Sequence, residues 1–255
     1  MMKKRISILL AAVSSLLLVG SVVGSARAAL LYYSEDYVAQ MDVKSIGVSL
    51  VENGDSISWR DYLHKDDAWN QDSGVLLSNL LAKGETLVLN KKYKEELSVR
   101  NSGTIDEYVR VTVNRYWVEQ EPDTGEASGN KRMDLDPALI QVHFPEENGW
   151  LVDPKSSTNE RTVLYYHKIL KSGETSPLFA DTISINDKVA QIVSKEQTTD
   201  ENGYTIIKSI YEYDGVQFML QADVDAVQTH NAREAIGSAW GVEASIAEDG
   251  TLSLE

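Results

Sequence analysis

The chain has 255 residues, with 39 acidic and 24 basic side chains and no cysteine. The acidity argues against a phosphate-backbone partner, because no basic stripe is present to displace counterions. The missing cysteines exclude disulfides, thiol nucleophiles and thiolate-held zinc or iron–sulfur centres together.

Residues 1–28 read as an export signal. Lys3, Lys4 and Arg5 form a basic start, Ile6–Val23 is an uncharged apolar run, and Ala26-Arg27-Ala28 offers small residues where a signal peptidase cuts. An uncleaved membrane anchor is the competing reading, since about 18 apolar residues nearly span a bilayer. Cleavage removes four bases and no acid, leaving 20 bases against 39 acids, a formal −19 on 227 residues. The membrane is expected as a partner only through this segment before cleavage, and the mature chain is expected outside the cell, free or at the cell surface.

Residues 29–41 read as a free extended segment with Tyr32, Tyr33 and Tyr37 crowded together. From residue 42 onward period-2 alternation dominates, the signature of half-buried antiparallel strands. It runs through Ile46–Leu50. From Tyr108 to Trp117, Val109, Val111 and Val113 face one way and Arg110, Thr112 and Asn114 the other. Phe218, Leu220, Ala222, Val224 and Ala226 form a further inward row. Turn residues at Asn101-Ser102-Gly103 and Asp200–Gly203 separate the runs. Asp214-Gly215, between Ile206–Tyr213 and Val216–Val227, is a strong hairpin signal. Glu119–Lys131 and Asp153–Glu160 read as surface loops. Leu80–Thr86 and Ile169–Thr175 echo one another, each an apolar pair and a basic residue before Gly-Glu-Thr; two equivalent strand entries explain this better than a duplicated domain.

One helix is expected near residues 231–241. Asn231 and Glu234 stand in a capping-box pattern. Ala232, Ala235, Ile236, Ala239 and Trp240 form an apolar stripe, and Gly241 is placed to end the helix. A weaker helical stretch is expected at Val75–Leu81. The pattern as a whole predicts an all-β, antiparallel, jelly-roll-like β-sandwich, a single domain over residues 42–255, with one short helix packed at its edge.

Chemistry-bearing motifs are sparse. His64, His143, His167 and His230 include no pair at helical i, i+4 spacing with a glutamate, so no local zincin site forms. Asp223 and Asp225 share one strand face and, with His230 nearby, are weak candidates for a metal site; a solvated acidic face is the plainer reading. Asp134, Asp136 and Asp200–Gly203 are oxygen-rich enough for loose Ca²⁺ binding. No nucleophile–base pair can be named, so no catalytic residue is assigned. Twelve tyrosines and five tryptophans leave open a carbohydrate- or surface-binding face.

These pieces resemble the TasA/camelysin family of exported Firmicutes proteins. The resemblance rests on the signal ending Ala26-Arg27-Ala28, the segment Ala29–Met41, the strand Ile46–Glu52 and the Leu81–Glu85 entry. It extends through Leu97–Gly103, Tyr108–Val111 and Val224–Ala232 to Ala239-Trp240-Gly241. It implies export through a dedicated signal peptidase and self-association into biofilm-matrix fibres, beside other matrix or cell-surface proteins. In such fibres the N-terminal segment of one subunit completes the sheet of the next. Here Leu31, Tyr33 and Tyr37, or Leu30, Tyr32 and Val38, would be the inserted row. Some camelysin relatives are described as metalloendopeptidases; this chain departs from any recognisable zinc motif, and a metal-dependent endopeptidase built from dispersed His and acidic residues stands as the enzyme alternative.

Overall fold

Two antiparallel sheets face each other across one core. In the computed structural model, which describes residues 45–63, 68–72, 74–124, 127–199, 201 and 204–255, the first sheet is built from six strands. They are β1 (Gly47–Glu52), β2 (Asp55–Leu63), β3 (Ala68–Asp72), β4 (Tyr93–Asn101), β7 (Ile140–His143) and β10 (Ala180–Ile185), in the order β3-β2-β1-β4-β10-β7. The second sheet holds β5 (Glu107–Gln120), β8 (Trp150–Val152), β9 (Arg161–Tyr166) and β13 (Val216–Gln228), in the order β13-β5-β9-β8. Strand β6 (Ala127–Lys131) joins it by pairing with β5. Among the described residues there are also two small ribbons: β11 (Val193–Thr199) with β12 (Thr205–Tyr211), and β14 (Ala244–Ile246) with β15 (Leu252–Leu254). The expected export signal at residues 1–28, the segment 29–41 and His64 lie outside the described residues.

The β-sandwich follows from the alternation. Val109, Val111 and Val113 of β5 are at most 1% exposed and pack with Val48, Leu50, Leu97 and Val99 from the facing sheet. Trp117, Trp150 and Phe179 fill the space between, with Trp150 edge to face with Phe179. Burying each such side chain stabilises the fold by roughly 1.5–3 kcal/mol.

The outer face of the second sheet is covered as well. The helix α1 (Ala232–Trp240), with β14 and β15, packs Ile236, Trp240, Ala244 and Leu252 onto Tyr108, Val163, Tyr165 and Val227. The helix therefore lies on a sheet face rather than at the sandwich edge. Alternation fails in β9 for this reason: Thr162 through Tyr166 are all buried, because both faces of the strand are covered.

The expected capping box at the start of α1 does not form. Asn231 sits in the left-handed region at φ 49° rather than the extended conformation usual for a cap, and its side chain makes no capping hydrogen bond. Gly241 ends the helix as expected, at φ 69° with its N–H bonded to the Gly237 carbonyl. Ala239 is exposed, leaving a narrower stripe of Ala232, Ile236 and Trp240.

Three further expectations are corrected. Val75–Leu81 is a series of turns, because Leu77 adopts φ +65° and breaks any helical run. The latter part of Glu119–Lys131 is strand β6, since β5 runs on to Gln120 and offers it an edge. Asp214-Gly215 turns the chain but makes no hairpin: β12 pairs with β11 and β13 with β5. A tight hairpin does occur at Asn53-Gly54, where both residues have positive φ, between β1 and β2.

The echo is a repeated turn. In one copy the Glu85 N–H bonds the Ala82 carbonyl and the Ala82 N–H donates to the Glu85 carboxylate; Glu174 and Lys171 do the same in the other. Gly84 and Gly173 hold φ +88° and +79°. The two turns precede β4 and β10, which pair with each other.

The entry to β1 is fixed by buried polar groups. Asn101 donates to the carbonyls of Ile105 and Leu170 and accepts from the Gly103 N–H. Glu107, 0% exposed, accepts from the Gly47 N–H at 2.9 Å. A Cβ on Gly103 would lie 2.6 Å from both the Gly47 nitrogen and the Ser45 oxygen. Gly103→Ala should therefore cost about 1–3 kcal/mol through backbone displacement, read as a lower denaturation midpoint at unchanged slope.

Candidate functional site

The first sheet is wider than the second. β13 is the last strand of its sheet among the described residues, and it packs against β1. Strand β2, beyond β1, consequently has no opposing strand among the described residues. A groove of about 1050 Å³ opens at this margin. Its sides are Ile57 and Trp59 of β2, Leu50 of β1, and Phe218, Leu220 and Val224 of β13. The segment between β3 and β4 supplies the outer wall through Leu76, Leu77, Leu80 and Leu81. Gly74 lets this segment pass directly over β2, since a Cβ there would fall 1.9 Å from the Ile57 carbonyl oxygen.

The groove is mainly apolar, with carboxylates at its margin. Asp225 is bound to Arg110 at 2.6 Å, and Asp223 accepts from Gln221 and, at 3.5 Å, from Asn114. Arg110 also lies over the Trp240 ring at 5.4 Å. The two aspartates thus sit on one strand, as their spacing predicts, but each is already engaged by side chains of the same sheet. His230 is exposed in the turn before α1. Among the described residues no three His, Asp or Glu side chains are grouped to hold a metal ion. His143 pairs with Asp181 at 2.8 Å and His167 meets the Gly149 carbonyl at 2.6 Å.

Of the oxygen-rich loops, the one holding Asp134 and Asp136 is engaged too. Arg132 grips Asp134 through two hydrogen bonds and holds its carboxyl well down, to about 2, while Asp136 caps the short turn at Pro137–Leu139. Asp200, Asn202 and Gly203 lie outside the described residues. Trp117, Trp150 and Trp240 are buried, whereas Trp59 is 39% exposed on the groove.

Behind the groove wall sit two carboxyl groups that the sequence reading did not single out. Glu52 ends β1 on its inward face and is 6% exposed; Glu95, on the inward face of β4, is 1% exposed. The Glu52 carboxylate accepts the Leu77 N–H at 2.7 Å, tying the wall to β1. Burial is the main force on Glu95 and pushes its carboxyl from an ordinary 4.5 up to about 8. The hydrogen bond and the charge of Glu52 push the same way, while the Asn53 side chain opposes them. A signal was present: Glu95 is in phase with Tyr93, Leu97 and Val99, and a charged residue on an inward row marks a buried titratable group.

No family model matches the chain. No curated protein and no solved structure matches it either. The groove is thus interpreted from its own geometry: a strand-length apolar slot, bordered by the last strand of one sheet and roofed by the overhang of the other. Such a margin is suited to adding an extended chain, with main-chain bonds along β13 and side chains in the slot.

Proposed function

We propose that the protein is an exported structural subunit of bacterial extracellular or surface fibres, one copy adding its segment 29–41 as a strand beside β13 of the next. The observation that supports this reading is the mismatch in sheet width, which leaves β2 facing an apolar groove at the β13 margin. β13 has 13 residues, Val216–Gln228, and segment 29–41 has the same number. Fully extended, such a segment reaches about 43 Å, enough to run the length of β13. Either inserted row, Leu31-Tyr33-Tyr37 or Leu30-Tyr32-Val38, would present large apolar side chains to Leu220, Val224 and Leu80. With no cysteine, such a fibre would be held by strand pairing and packing alone.

Electron microscopy and sedimentation of the mature chain from Ala29, beside a truncation starting at Asp42, test the reading. The mature chain should form fibres and the truncation should stay monomeric. A synthetic peptide of residues 29–41 should raise the melting temperature of the truncation without polymerising it. A mature chain that remains monomeric in every condition, or a truncation that polymerises equally well, would falsify the reading.

A further inference from the structure

The groove wall is weakly held by packing. Val75 is 76% exposed, and Leu76, Leu77, Leu80 and Leu81 are only half-buried. Leu77 is also kept in the left-handed region at φ +65°, a conformation that a leucine adopts only under constraint. The Leu77 N–H is held there by its hydrogen bond to the Glu52 carboxylate. That carboxylate is in turn paired with Glu95, whose Oε1 is buried without a partner.

We propose that Glu52 and Glu95 form a proton-operated latch, which holds the groove wall at residues 74–81 against β1 while one proton is retained and frees it when that proton is lost. Two carboxylates buried side by side cannot both ionise without water or separation. Glu95 is the less free of the two: it lies inside β4, which pairs with β10 on either side of it, at Lys94 and Leu97, and with β1 from Leu97 onward. Glu52 can move, because it is the last residue of β1, next to the Asn53-Gly54 turn. Swinging Glu52 toward solvent removes the acceptor of Leu77, and the strained turn relaxes. The proton that Glu95 gives up passes to solvent, and no covalent bond other than that O–H changes.

Asp55 of β2 stands opposite Glu52 in the strand register, and several other charged groups on the neighbouring elements are engaged elsewhere. Lys94 and Glu96, flanking Glu95 on β4, pair with each other at 2.9 Å. On β10 Asp181 pairs with His143, in the wall segment Glu85 accepts its own turn's Ala82 N–H, and on β13 Asp225 is bound to Arg110. The charge that acts on Glu95 is that of Glu52.

The consequence for assembly rests on the groove's being the strand acceptor; the latch itself does not. Hydrogen exchange of the whole mature chain reads the latch directly. After correction for ordinary base catalysis, protection of the Leu77 and Leu80 amides should fall at least about tenfold between about pH 6 and pH 9, with Val111 unchanged. Glu95→Gln should hold both amides protected at the higher pH, and Glu52→Gln, which keeps a carbonyl acceptor, should do the same if the first variant folds poorly. Equal protection of wild type at both pH values, or loss of protection in both variants as in wild type, overturns the proposal. If the amides respond as expected and the chain never forms fibres, the latch stands and the strand-acceptor reading fails.

Discussion

Raising the pH from about 5 to about 9 should cost the protein on the order of several kcal/mol of stability, and Glu95→Gln should remove most of that loss. The direction follows from the raised carboxyl. Below 4.5 the group is protonated whether the chain is folded or not, and it favours neither state. Above 4.5 the unfolded chain ionises it freely, while the folded chain holds the proton until about 8. The folded state therefore loses ground progressively between these two values and levels off above the upper one. Glutamine keeps the shape, donates to Glu52 and carries no charge, so its stability should be nearly level across that window. Self-repulsion of a strongly acidic chain acts in the same direction, but it is common to both proteins and cancels in their difference. Urea midpoints measured at several pH values for both proteins check this. Parallel curves for wild type and variant would remove Glu95 from the account.

Phe179→Ala should destabilise the protein by about 3–5 kcal/mol, or roughly 10 °C in melting temperature for a unit of this size. Phe179 is 0% exposed and stands edge-on to Trp150, with ring centres 5.5 Å apart. Its own N–H bonds the Leu97 carbonyl, so the residue joins the two sheets while anchoring the approach to β10. Truncation leaves a cavity between Trp150 and the first sheet, where bonded strands limit collapse. Phe179→Leu retains most of the volume and should cost under about 1.5 kcal/mol. Chemical denaturation of the two variants separates cavity from contact: equal losses would mean that ring geometry, not volume, sets the cost.

The inward rows were legible because alternation is a local property. Val109, Val111 and Val113 needed only the pleat of β5 to be placed on the core. Gly241 could be read as a helix end, and the two Gly-Glu turns as equivalent, because each depends on a few consecutive residues. Where a distant group intervened, local reading failed. Val75–Leu81 has helical spacing, yet the Glu52 carboxylate takes the Leu77 N–H from 25 residues away. Asp214-Gly215 is a hairpin dipeptide, yet β5 outcompetes β12 for β13 by offering a far longer register. Asn231 has a capping side chain, yet the chain enters the helix left-handed.

The candidate site divides in the same way. The acidic strand face of Asp223 and Asp225 and the apolar row beside it could be written down from spacing alone. Their engagement by Arg110 and Asn114 could not, because those partners lie more than 100 residues away in sequence. By itself the sequence determined strands, turns, one helix and a sandwich, since pleat, turn chemistry and helical periodicity are set by near neighbours. Only the tertiary structure decided that the two sheets differ in width and that Glu52 meets Glu95, because strand order and the burial of a charge depend on which distant segments pack together.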